Sequence, residues 1–259
     1  MNGIAAIGRL LFAIAIVGFG IQHLLLRGIV VGVELAPSWP PSHQVWGYIV
    51  AAVLVVCGLC IALNRFAVIA LLVLAALFLN AVIVLDLPRV MAKIMDLTER
   101  TRFFESLSFA AGALIIAGVV AKGTRASGIW RGLQILALIG TWIFAISMVV
   151  FGISHFIVPT FIAALIPKWI PWHLFLAWFT GVAFILAAIA FVTKLLARSA
   201  AVLLGLMFLS WVVVLHAPRI YAALHNGAEW NSGLVALGMA GCAFALCGST
   251  TVRKGISRI

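Results

Sequence analysis

Acidic residues are almost missing from this chain: six Asp and Glu stand among 259 residues, and all charged types together reach only 9%. A soluble domain of this size keeps roughly a quarter to a third of its surface charged, so a water-soluble globule is excluded. What fills the chain instead is apolar, with 66% hydrophobic residues and a mean hydropathy of +1.28, against about 45–50% apolar residues in soluble proteins. That composition also excludes disordered and collagen-like chains. The four cysteines lie inside apolar runs and make no disulfide-stapled framework. No phosphate-binding glycine loop, acyl-transfer triad or paired glycosidase carboxylates can be assembled from the residues present. A net charge of +11 would point to nucleic acid in a soluble protein. Here the bases sit in short loops between apolar runs, which is a pattern of membrane topology and gives no reason to expect a nucleic-acid partner.

The expected fold class is an all-α integral membrane protein. A hydrocarbon core of ~30 Å needs about 20 apolar residues of helix, and such runs occur eight times. They extend approximately over Ile4 to Leu26, Val45 to Leu63, Phe66 to Leu85, Phe103 to Ala121, Leu133 to Phe156, Trp172 to Val192, Ser199 to Leu215 and Gly233 to Gly248. The halves read as copies. Gly20-Ile21-Gln22-His23 matches Gly152-Ile153-Ser154-His155, and Pro37-Ser38-Trp39 matches Pro167-Lys168-Trp169. Trp46 matches Trp178, and Asp86-Leu87-Pro88-Arg89 matches His216-Ala217-Pro218-Arg219, with the offset held between 130 and 132. The expectation is two tandem four-helix bundles, residues 1–121 and 133–259, joined by a linker at 122–132. Four spans per unit give both the same orientation, related by an axis along the bilayer normal. The first run lacks a charged leader and a small-residue cleavage site, and reads as a retained helix.

One set of loops holds Arg9, Arg65, Lys122, Arg125, Arg131, Lys194, Arg198, Arg253, Lys254 and Arg258, and no acid. By the positive-inside rule that side, with both termini, is cytoplasmic, and a prokaryotic inner membrane is the expected location. The opposite side holds Arg27, Arg89, Lys93, Arg100, Arg102, Lys168 and Arg219 with all six acids: Glu34, Asp86, Asp96, Glu99, Glu105 and Glu229. The histidines His23, His43, His155, His173, His216 and His225 gather there too.

His23, His155 and Asp86 lie within or at the margin of apolar runs, where ionisable groups are costly and mark function by default. Asp86 and His216 occupy one repeat position with two chemistries, each two residues before a proline and three before Arg89 or Arg219. The proline is expected to end or kink the helix and free carbonyls beside an arginine. Proton exchange with a ligand fits this pair as well as plain helix-end solvation does. The symmetry axis either joins Asp86 and His216 or leaves each in its own half. Haem or a metal on His23 and His155 is disfavoured, because no His-x-x-x-His or cysteine-rich spacing surrounds them. Residues 157–166, about ten in number and broken by Pro159 and Pro167, are too short to cross the core and read as re-entrant or interfacial, implying an outward cavity. Trp169 and Trp172 belong at headgroup level, as anchors or as cavity rim. Arg9 is expected to snorkel to the cytoplasmic interface. Cys57-Gly58-Leu59-Cys60 has redox spacing but no nearby base, and with Cys242 and Cys247 reads as packing.

Phe151-Gly152-Ile153-Ser154-His155-Phe156, then Pro167-Lys168-Trp169-Ile170-Pro171, Trp178 to Gly181 and Glu229-Trp230-Asn231, resemble the DoxX-like membrane family. The resemblance covers the second unit and, more weakly, the first, where Leu24 follows the histidine and Glu-Trp-Asn is lost. It implies a four-helix unit of a bacterial or archaeal membrane, in a family whose named members look like partners of thiosulfate:quinone oxidation or of thiol redox systems. The expected function is therefore a membrane subunit supporting redox or quinone-linked chemistry, with an electron-transfer or thiol-redox protein as partner. Its ligand-binding candidates are His23, Asp86, Arg89, His155, Trp169, His216 and Arg219, and a quinone is the candidate cofactor. The rival expectations are a small-molecule or lipid transporter and a scaffold without ligand.

Overall fold

The computed structural model describes residues 3–26, 30–31, 34–35, 43–122 and 129–249. The Pro37-Ser38-Trp39 landmark, linker residues 123–128, and Arg27, Arg125, Arg253, Lys254 and Arg258 lie outside the described residues, as do the side chains of Glu34 and His43. Among the described residues, eight helices are long and apolar enough to cross a membrane. In chain order the helices are α1 (Gly3–Leu26), α2 (Gln44–Ala62), α3 (Ala67–Ala92), α4 (Leu97–Ala121), α5 (Ile129–Ile157), the two-turn α6 (Pro159–Leu165), α7 (His173–Thr193), α8 (Ala197–Ala222) and α9 (Gly227–Ser249). A two-residue ribbon pairs Val30–Val31 with Glu34–Leu35. Helix α5 starts inside the expected linker, and the segment read as re-entrant is α6.

The spans form a ring in chain order that closes where α1 meets α9. Helices α4 and α9 also pack on each other across the middle, so the two sets of four share one interior. These two are the central helices, with 67% of their spanning windows buried against 22–44% elsewhere. Small residues permit the closest approach. A Cβ on Gly8 would stand 2.6 Å from Ala245 N, and one on Gly241 would stand 2.6 Å from Phe12 N, so α1 and α9 meet backbone to backbone.

The helix ends follow from local chemistry. Asp96 caps α4, its Oδ1 accepting from Thr98 N and Glu99 N, and Asn226 Oδ1 accepts from Ala228 N at the start of α9. The prolines of α3 and α8 do not end their helices. Each helix instead widens into a π turn, Val82–Asp86 and Val212–His216, closed by Leu87 N–H donating to Val82 O and Ala217 N–H to Val212 O. The extra residue relieves the clash that a proline ring makes with the carbonyl four residues back, so the helices run on through Pro88 and Pro218. Asp86 and His216 are the last residues of those turns.

Arg9 reaches to the loop end of α2, on the expected side, but its head is buried there. It is only 9% exposed, and its Nη1 donates to Ile61 O and Ala62 O, capping the last carbonyls of α2. At the same end Lys122 Nζ donates to Gly248 O at 2.7 Å and Ser249 O at 3.2 Å, tying the end of α4 to that of α9. The four cysteines form no disulfide, and Cys242 fills the space beside Gly112.

Candidate functional site

Two cavities lie toward the end of the molecule opposite Lys122, one in each half. The first has a volume of about 480 Å³ and an apolar wall that includes Phe19, Val53, Leu77, Phe78 and Phe109. Its polar lining consists of Gln22, His23, Asn80, Asp86, Arg102, Glu105, Ser106 and Asn231. Helices α2 and α3 touch sparsely compared with α1 and α2 or with α3 and α4, and the lining residues Trp46, Ile49 and Val84 are exposed on their surfaces. This cavity therefore opens sideways between α2 and α3.

The second cavity, about 290 Å³, is lined by His155, His216, Thr101, Ser154 and Ser232 among Phe151, Phe184, Phe208 and Trp211, and is fronted by Phe161 and Ile162 of α6. Its smaller size has a cause that can be named. Trp211 and Ala81 are the residues that precede the π turns of α8 and α3, and the indole fills what the methyl leaves empty. Trp211 packs edge-on to Phe184 and Phe208 at 5.8 and 5.6 Å between ring centroids, and lies nearly parallel to the His155 ring at 6.5 Å.

Both deep histidines are held the same way. His23 Nδ1 lies 2.8 Å from Phe19 O, and His155 Nδ1 lies 2.8 Å from Phe151 O. A carbonyl only accepts, so Nδ1 carries the proton and Nε2 of the neutral ring is left as an acceptor. Asp86 is 3% exposed, and its Oδ2 is buried without a hydrogen-bond partner. His216 Nδ1 is likewise buried without a partner. Buried polar atoms of this kind are rare and ask for a ligand, a water or a proton.

Of the seven candidates read from sequence, His23 and Asp86 meet in the first cavity and His155 and His216 in the second. Asp86 and His216 therefore stand in different cavities. Arg89, Arg219 and Trp169 line neither cavity; Trp169 is 74% exposed on the loop before α7. Arg219 forms a 2.8 Å ion pair with Glu229. In the first half Glu99 is instead 3.8 Å from Arg102, and Arg89 Nη1 is buried without a partner among the described residues.

The residue that sequence reasoning passed over is Glu105. With Asn231 and Val235 it lines both cavities, so one carboxylate on α4 and one amide on α9 form the partition between them. The signal was present, because Glu105 falls inside the expected span from Phe103 to Ala121, where an acid is costly. Among the described residues no three His, Cys, Asp or Glu side chains converge as a metal ion requires. Comparisons with protein-family models, with curated proteins and with solved structures find no match.

Proposed function

We propose that this chain is a DoxX-like subunit of a prokaryotic inner membrane that takes an apolar-tailed, quinone-like ligand from the lipid into its first cavity, in support of redox chemistry shared with a separate electron-transfer or thiol-redox protein. One observation carries the reading: a mostly apolar cavity, open sideways between α2 and α3, joins lipid-facing Trp46, Ile49 and Val84 to His23, Asp86 and Glu105 at its polar side. Ligand sites have this form, an apolar container with a few convergent polar groups that fix orientation. His23 and Asp86 orient the head group and exchange protons with it, while Phe19, Phe78 and Phe109 keep the site dry.

In this reading both termini are cytoplasmic and the cavities face outward, since the end carrying Arg65, Lys122, Arg131, Lys194 and Arg198 has no acid. The chain arose by tandem duplication. Supporting this, the π turns and proline positions of α3 and α8 recur 130 residues apart, and the positive φ of Asn64 and Phe66 recurs at Lys194 and Leu196. Gly20 packs on Ala51 and Val55, and Gly152 on Gly181 and Ile185, a register that makes Tyr48, rather than Trp46, the counterpart of Trp178.

The test is binding of a decyl-tailed quinone and of its hydroquinone to the purified protein. Binding of either that Ala81→Trp weakens at least about tenfold is the expected result. Failure of both to bind, with the wild-type protein folded, sinks the proposal. A second reading, a transporter for a small amphiphile, draws on the shared Glu105 and Asn231 partition, through which a ligand would pass between halves. Ligand-dependent changes in labelling of cysteines placed at Asn80 and Ser232 would favour it.

A further inference from the structure

The hydrogen bonds already made around the first cavity specify what its ligand's head must carry. Gln22 and His23 are neighbours on α1, and each commits a donor to a backbone carbonyl: Gln22 Nε2 to Gly227 O at 2.8 Å, His23 Nδ1 to Phe19 O at 2.8 Å. Because a carbonyl cannot donate, these contacts fix both the amide orientation and the imidazole tautomer. What remains on each is an acceptor: Gln22 Oε1, buried with no partner, and His23 Nε2. Asp86 contributes Oδ2, also buried and without a partner and an acceptor while the carboxyl is ionised, and Glu105 places a second carboxyl group on the same wall. The lining also carries donors, the Arg102 guanidinium 3.8 Å from Glu99, the Ser106 hydroxyl and the amides of Asn80 and Asn231. The preference is therefore set by the three partnerless acceptors Gln22 Oε1, His23 Nε2 and Asp86 Oδ2 and not by the whole wall.

We infer that the first cavity selects an apolar-tailed ligand whose head donates hydrogen bonds, a phenolic or alcoholic hydroxyl, over a head of the same shape that only accepts. The inference rests on the first cavity being a ligand site, as proposed above. A carbonyl or ether head would set lone pairs against Gln22 Oε1, His23 Nε2 and Asp86 Oδ2 and leave all three unpaired. Sites built around a hydrogen bond reject analogues lacking it for that reason.

Three probes with one ring and one decyl tail separate the cases: a hydroquinone, the corresponding quinone, and the hydroquinone dimethyl ether. Their affinities are measured by calorimetry on the full-length detergent-solubilised protein, under conditions that hold each probe in its redox state. The hydroquinone is expected to bind at least about tenfold tighter than either of the others. Asp86→Asn introduces an amide donor among the acceptors and narrows that ratio by strengthening the quinone, while Gln22→Met narrows it by removing one acceptor. Equal affinity for all three probes overturns the inference and leaves the cavity as a ligand site. So does a ratio that neither variant moves. Binding by none of the three overturns the ligand-site reading and this inference together.

Discussion

Ala81 and Trp211 show how much one side chain decides in these halves. Ala81→Trp should place an indole in the first cavity as Trp211 does in the second, lowering probe affinity at least about tenfold at a packing cost of about 1–3 kcal/mol, both measurable on one purified sample. Arg9 makes a different kind of contribution, since its guanidinium pairs the final carbonyls of α2. Arg9→Leu is expected to lower stability by about 1–3 kcal/mol, read as the thermal unfolding midpoint in detergent, with Arg9→Lys recovering part of the loss. At this scale the sequence exposes charged groups well and uncharged ones badly. His23, Asp86 and His155 stand out because ionisable groups are costly in apolar runs, His216 because it falls at the repeat position of Asp86, and all four line cavities. Arg89 and Arg219 carry the same cost yet line neither cavity, because flanking a proline says nothing about direction. Gln22 gives no charge signal, and its role depends on a carbonyl 205 residues away.

Single helices raise the matter of register. The π turn before Pro88 sets the rotation of Asp86 relative to the upstream part of α3, and each residue of an α-helix advances the side chain by about 100°. Deleting Val84 should restore regular α geometry, swing Asp86 out of the first cavity and abolish probe binding, while the protein still inserts. Retained binding in that deletion, measured by the same calorimetry, would show that the turn does not position the carboxylate. Eight helices and their approximate limits could be read from apolar run length alone, since the bilayer imposes it. The π turns could not, because neither hydropathy nor the proline distinguishes a break from a widened turn. Nor could the ending of Arg9 on α2, which depends on how two helices cross.

Across the whole molecule, charge placement and helix packing lead to separate expectations. If the termini are cytoplasmic, an impermeant maleimide applied to intact cells should modify His225→Cys and spare Arg131→Cys, both positions being exposed. The reverse pattern would invert the molecule. The number of spans is legible in the apolar runs, whereas the closure of α1 on α9 and the central contact of α4 with α9 have no counterpart in hydropathy. That closure bears on biosynthesis. Helix α1 leaves the ribosome about 200 residues before α9 begins, which at roughly 5–20 residues per second is a delay on the order of 10–40 s. During that time Gly8 and Phe12 have no native neighbour on one side, and the nascent first helix must be sheltered by lipid or by the insertion machinery until its last companion is made.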